Sequence, residues 1–439
     1  MQTMYQRISG SHPEEDDGMD ELSRRKMLAA GGTLGALGAL GVATPAHAGA
    51  LWTWSPKGSV AGAGKGADPR GVWDEEADRI VADIIESGHT AAVNRELRKW
   101  TKNGQPLSGA LPAELRRFME RARRMPSWAD EGKLDTATDF NEKRGLYLGV
   151  TYGFASGMMS TVIPREARAV YYSKGGADMR DRITKTAKLG YDIGTSNAYR
   201  DEGEMIVTCV KTRLAHAGVR HLLPQSPHWS KVADEEIPIS QADMMVTWHS
   251  LPTTVMQNLK KWKVPIPDDE SAAFLHSWQL CAYMLGIKEE YIPNSWAEAD
   301  SQAAQVLTPI LAPTPEGVKL ADMLLNLGTI VPGGPLRYVT KPILGALTRY
   351  VLGDEIAGWL KIPREPFWDA VFDTAWEPFI AVREGLLSLE DAPGVLQKVY
   401  WAFDEILRLG ALLVLSGGDL PISIQIPDAN NPDYPDGGR

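Results

Sequence analysis

The sequence predicts an all-α fold. Three observations carry that reading. Apolar residues recur at helical spacing along most of the chain. The recurring stretches stop at Gly or Pro. Strand-like alternation is scarce, and ISIQI at 422–426 is its best and shortest instance. Taken in order, the first 48 residues form no element. Ser23-Arg24-Arg25-Lys26-Met27-Leu28, a mildly apolar Gly/Ala/Leu run and the small-residue site Ala46-His47-Ala48 make a twin-arginine export signal. The acidic stretch before the arginines is unusual for such a signal, and Met19 is a second candidate start. Residues 49–70 are rich in Gly, Ala, Pro and Lys and read as a linker. GSVAGAGKGADP lacks the spacing of a phosphate loop and has Gly66 where that loop needs Ser or Thr.

From Trp73 the helical pattern begins. EEADRIVADIIESG sets Ala77, Ile80, Val81, Ile84 and Ile85 on one stripe, and Gly88 ends it. ELRRFMERARRMP reads as a second helix, stopped by Pro126. RGLYLGVTYGFASGMMSTVIP is longer, more apolar and rich in small residues, as a tightly packed central helix would be. Helices follow at 178–192, 200–223, 240–249, 271–286, 297–312, 316–328, 337–352, 365–384 and 394–416. The last is strongly apolar, yet too short and interrupted to span a membrane alone. The tail 417–439, ending DANNPDYPDGGR, has the composition of a disordered segment. No linker divides 71–416, so a single domain with peripheral helices is the simplest organisation, and no internal repeat is visible.

Composition narrows the function. The chain has 439 residues, 44% hydrophobic and 23% charged, as soluble globular proteins have. Cleavage after Ala48 takes away 4 basic and 6 acidic residues and moves the net charge from -10 to -8. An acidic chain without a basic stripe is not built for sequence-blind nucleic-acid binding. The twin-arginine route exports folded proteins, often with a cofactor inserted, a first hint of a prosthetic group. Cys209 and Cys281 lie in apolar, helix-like surroundings with no CxxC spacing. They offer no zinc or iron–sulfur framework, and a protein folding in a reducing compartment gains little from pairing them.

Nitrogen donors concentrate in TRLAHAGVRHLLP, where Arg213, His216, Arg220 and His221 stand among apolar residues. A haem needs an axial donor on a rigid element in an apolar pocket, and His216, in mid-helix, fits best. A lone mid-helix histidine is nevertheless more often a satisfied core residue, and the arginines could equally be ion-pair partners. Upstream, MRDRITKTAKLG sets Arg182, Lys185 and Thr186 on one helix face. They are either an exposed basic face or a set of donors above a cofactor. Glu166 is a single acid near many aromatics. Thr247 and His249 form a polar island in MMVTWHSLP.

Together, in this order, Glu166, Arg182-Ile183-Thr184-Lys185-Thr186, Arg213 to His221 and Thr247-Trp248-His249 resemble the latex clearing proteins. These are secreted rubber oxygenases within a wider family of haem proteins. The motifs span roughly residues 140 to 290, and the export signal agrees in layout. The resemblance implies a globin-like helical core extended at both ends. It implies one non-covalent haem b with its iron, which needs no CxxCH motif, and O2 as co-substrate. It implies His216 as proximal ligand, Lys185 as a distal residue able to ligate the iron in a closed form, and Glu166 as the distal base. Arg182 and Thr186 would be its distal neighbours. Arg213, Arg220, His221, Thr247 and His249 would support the cofactor or its pocket. The implied reaction is endo-cleavage of the double bonds of poly(cis-1,4-isoprene) to oligo-isoprenoids with aldehyde and keto ends. The expected protein is secreted, not stably membrane-inserted, and monomeric. Other readings are a haem oxygenase for another isoprenoid chain, a non-catalytic oxygen-binding globin, and a helical protein without cofactor.

Overall fold

The computed structural model describes residues 52–330, 337–387, 394–417 and 422–432. The expected export signal lies outside them. Among the described residues there are helices and isolated bridges but no strand. In chain order the principal helices are α1 (Glu75–Glu86), α2 (Thr90–Lys99), α3 (Ala113–Ala122), α4 (Glu131–Lys143), α5 (Gly145–Val150), α6 (Pro164–Tyr172), α7 (Met179–Asp192), α8 (Met205–Leu222) and α9 (Gln241–Trp248). They continue as α10 (Thr254–Lys261), α11 (Asp268–Met284), α12 (Trp296–Val306), α13 (Pro315–Gly328), α14 (Arg337–Leu352), α15 (Asp354–Trp359), α16 (Pro366–Leu387) and α17 (Gly394–Ser416).

The starts follow from side-chain capping. Asp74 accepts the Ala77 N–H at the head of α1, Asp178 the Asp181 N–H at the head of α7, and Ser240 with Asp243 forms a reciprocal capping box on α9. Gly88, at φ 71°, ends the turn after α1 in the left-handed conformation. α8 is the central element. Met205, Cys209, Val210, Leu214 and Ala217 are buried along it, and it packs on α1, α7 and α11. Met205, Val210 and Leu214 each contribute about 1.5–3 kcal/mol when removed from water. α11 is equally buried, with Phe274, Trp278 and Leu280 in the same core. Cys209 and Cys281 are both buried and free.

The long apolar stretch after Arg144 is helical but not uniform. After α5 the backbone widens into a π-helix over Thr151–Gly157 and tightens over Ser160–Val162. A second π segment, His249–Thr253, joins α9 to α10 and contains Pro252, whose ring removes one N–H from the ladder. No single described helix is long and apolar enough to cross a membrane.

Two expectations are corrected. Residues 52–70, read as a linker, are bound to the body. Trp54 is 5% exposed and its indole N–H donates to Glu298 Oε2 at 2.9 Å. The Thr53 and Trp54 amides both donate to Gln305 Oε1, and Ser59 bridges Pro293. One buried tryptophan outweighs the entropy of its small neighbours. The tail, read as disordered from 417, is ordered over 422–432. The Asn94 side chain donates to the Ile426 carbonyl and accepts the Ile426 N–H, both at 2.9 Å, and Ile424 and Ile426 are buried. ISIQI is thus extended with alternating burial, but its polar partner is an amide side chain rather than a second strand. Gly218 makes this docking possible: a Cβ there would come within 2.7 Å of Pro427.

Candidate functional site

Two arginines fix the central helix. Arg213 grips Asp74 with Nε on Oδ2 at 2.5 Å and Nη2 on Oδ1 at 3.0 Å, its guanidinium 4.8 Å above the Phe118 ring. Arg220 places Nε on Asp78 Oδ1 at 2.7 Å and Nη1 on the Ile239 carbonyl at 3.2 Å. Both acids belong to the head of α1, where the helix dipole also favours negative charge. The α8 helix is therefore stapled to α1 on either side of His216, and the two arginines act by positioning it.

His216 has no such partner. Its Nδ1 is buried without a hydrogen bond, and the ring makes none among the described residues. Burial, followed by the Arg220 and Arg182 charges, pushes its pKa down to about 3, so the imidazole is neutral with a lone pair to offer. An idle polar ring in a protein interior is costly unless something else engages it.

α6 supplies Glu166, and α7, which packs on α8, supplies Arg182. The Arg182 guanidinium forms no ion pair or hydrogen bond among the described residues, but its charge reaches both Glu166 and His216. Glu166 Oε1 accepts the Thr247 hydroxyl in a short hydrogen bond. Thr247 is exposed although its neighbours along α9 are buried. Burial raises Glu166 to about 7, against the opposing pull of Thr247 and Arg182. Glu166, Arg182 and His216 each keep some accessible surface and yet are each desolvated. The arrangement unites a neutral ligand nitrogen, a fixed cation and a carboxyl group that ionises near neutral pH.

The other expected residues stand elsewhere. Lys185 Nζ bonds Asp181 Oδ2 at 2.5 Å, one turn back on its own helix. Thr186 is exposed, its hydroxyl on the Arg182 carbonyl at 3.2 Å. His221 lies at the end of α8, its Nε2 3.0 Å from Gln225 Nε2 and 3.7 Å from Glu86. His249 is fully buried, with Nδ1 on Thr253 at 2.9 Å and Nε2 on Gln302 at 2.8 Å, which leaves neither nitrogen for a metal. Asp74, Asp78 and Gln302 escaped the sequence reading. The two aspartates announced themselves only as acids at a helix start, with no sign of partners 139 and 142 residues away.

The all-helical body thus holds an unengaged imidazole, a carboxyl group and a guanidinium, a set able to hold a cofactor and to move a proton. Residues 144–381 match the family described as ER-bound oxygenase mpaB/B'/Rubber oxygenase, catalytic domain. The chain belongs to the rubber oxygenase family. It is 54% identical, over 94% of its length and 100% of the relative's, to the Rubber oxygenase of Streptomyces sp. (strain K30). Its fold is similar to the solved structure of Latex Clearing Protein LCP in the closed state, with a TM-score of 0.77, 53% identity and coverage of 86% of this chain and 100% of that one.

Proposed function

We propose that this enzyme cleaves the double bonds of poly(cis-1,4-isoprene) with O2, using one haem b held by His216 in a globin-like helical core. The observation that carries the proposal is the unengaged, neutral His216 imidazole, with the Arg182 charge reaching both it and Glu166. The residues fit the cofactor: an axial ligand must be neutral, rigidly mounted and have one ring nitrogen free. Bound there, haem iron supplies the binding and activation of O2.

The chain's own residues supply the rest. Arg213 and Arg220 hold His216 in place through Asp74 and Asp78. Thr247 orients Glu166 through Oε1. A carboxylate titrating near 7 then takes and returns an allylic proton. Arg182 places positive charge beside it, which favours the ionised form. The net change adds both oxygen atoms across the broken C=C bond, giving an aldehyde and a ketone. Nothing in an isoprene chain can hydrogen-bond, so binding rests on apolar contact. Lys185 would reach the iron only by leaving Asp181. A non-catalytic globin has no use for a carboxyl group tuned to about 7, which argues for catalysis.

The remaining expectations stand as parts of the proposal: export by the twin-arginine route, a single domain over 71–416, and action as a monomer. Haem extraction and oxygen uptake on latex test it. Stoichiometric haem b with latex-dependent uptake supports the reading. Haem-free protein, produced with ample haem supply, overturns it.

A further inference from the structure

Two helices whose residues the oxygenase site does not use are built inside out. α16 and α17 turn charged side chains inward, onto residues 144–147. Arg383 Nη2 holds Asp404 Oδ2 at 2.5 Å, and the two residues are 4% and 2% exposed. Asp404 Oδ2 also accepts the Leu146 N–H at 3.0 Å. Glu384 accepts the Tyr147 hydroxyl at 2.8 Å and pairs with Arg144 at 3.2 Å. These contacts fix which sides of α16 and α17 face the body.

The outer sides are apolar. From Pro378 to Leu386 on α16 every exposed residue is apolar, and Phe379, Val382 and Leu386 are the large ones. On α17, Ala402, Ile406, Leu409 and Leu413 are exposed at spacings of three and four residues, one stripe of the helix. Val382 is 63% exposed and Ile406 67%. Among the described residues, Glu405 is the only exposed charge between Ala402 and Leu413. It accepts the Tyr191 hydroxyl at 2.8 Å and lies 3.6 Å from Arg408. Scattered exposed apolar residues are ordinary. Two linked helices with ion pairs inside and hydrocarbon outside are not, and such a face marks a contact with something apolar.

Charge narrows the partner. A helix that lies on an anionic lipid surface flanks its apolar face with several Lys and Arg. Among the described residues of α16 and α17 the one exposed base is Lys398, a turn before the stripe. A protein partner would bring polar groups that need matching donors and acceptors, and these faces offer only Glu405, already engaged. A polyisoprene surface has neither charge nor hydrogen-bonding group and demands no such match. α17 also packs on α7, where Arg180 donates to the Leu415 and Val414 carbonyls at 2.8 and 2.6 Å, and α7 carries Arg182.

We propose that the outer faces of α16 and α17 dock the enzyme on the hydrocarbon surface of the insoluble polymer. The inference rests on polyisoprene as substrate, but not on haem or on Glu166. Contact with the bulk polymer takes the exposed side chains out of water, and the enzyme stays on the particle between cleavages.

The test is co-flotation of the purified enzyme, kept without oxygen, with particles of synthetic cis-1,4-polyisoprene or with vesicles of phosphatidylcholine and phosphatidylserine. The expected result is saturable binding to the polymer, and binding to the vesicles weaker by about tenfold or more. Combining Val382→Gln, Leu386→Gln, Ile406→Gln and Leu409→Gln weakens polymer binding by about tenfold or more. Met323→Gln with Val339→Gln, which changes comparably exposed residues on α13 and α14, leaves it unchanged. Should the combined variant fail to fold, Val382→Gln and Ile406→Gln decide singly, each weakening binding about threefold. Oxygen uptake gives a second readout. The combined variant needs more polymer surface for its half-maximal rate, but oxidises a short, detergent-dispersed isoprene oligomer at the wild-type rate. Unchanged adsorption of the combined variant, equal loss in the α13 and α14 control, tighter binding to the vesicles, or self-association that the combined variant abolishes overturns the proposal. Protein that adsorbs through these faces yet takes up no oxygen supports the docking surface and contradicts the oxygenase reading instead.

Discussion

Two histidines, His216 on α8 and His249 in the turn after α9, divide the molecule into a site and a scaffold. His249 is saturated: Thr253 and Gln302 occupy both ring nitrogens, and the π-helical turn around Pro252 holds the ring within the core. His216 is as desolvated but idle, and Arg182, whose charge reaches both it and Glu166, likewise lacks a tight ion pair. Burial lowers both rings, His249 to about 4 and His216 to about 3, so burial alone does not separate them. What separates them is hydrogen bonding. A structural histidine has both ring nitrogens engaged by the chain, whereas a ligand histidine keeps one of them free for the metal.

The largest expected effect comes from exchanging these fates. His216→Ala loses haem and latex cleavage together while the helical content survives. His249→Ala keeps haem and activity. It costs about 2–4 kcal/mol of stability, because it leaves Gln302 and Thr253 unpaired beside a cavity. Denaturant unfolding and haem content measured on both variants check this, and equal haem loss in the two would dissolve the distinction. Next comes Arg220→Met, which leaves Asp78 without its partner and loosens the brace on His216. It should cost about 2–3 kcal/mol and weaken haem retention, read by transfer of haem to an apo-acceptor.

Glu166→Gln probes the carboxyl group. It keeps haem and lowers kcat by about 10²–10⁴. The sign of the pH dependence follows from the raised pKa. The base form exists above about 7, so wild-type cleavage rises with pH through that value and falls off below it. Thr247→Val removes a hydrogen bond that favours the carboxylate and moves the rise to higher pH, which a kcat profile detects. The smallest effect belongs to Lys185→Ala. Its pair with Asp181 is half exposed, and its loss should change stability by less than about 0.5 kcal/mol.

The sequence showed the helices plainly, because their stripes run for several turns and stop at Gly or Pro. It did not show the π segments, since the extra residue per turn at Thr151–Gly157 and His249–Thr253 leaves no periodic trace. Composition misjudged both ends for one reason: averages over many small or polar residues hide single anchors such as Trp54 and Ile426. His216, Glu166 and Arg182 were legible through the order of their motifs. The braces on Asp74 and Asp78, and the satisfaction of His249 by Gln302, were not, because pairing across such separations is a property of packing.

The most direct measurement is haem stoichiometry, with the absorption spectrum, of His216→Ala beside His249→Ala. The account predicts one haem b per chain in the wild-type protein and in His249→Ala, and none retained by His216→Ala. Full haem with an unchanged spectrum in His216→Ala would contradict it.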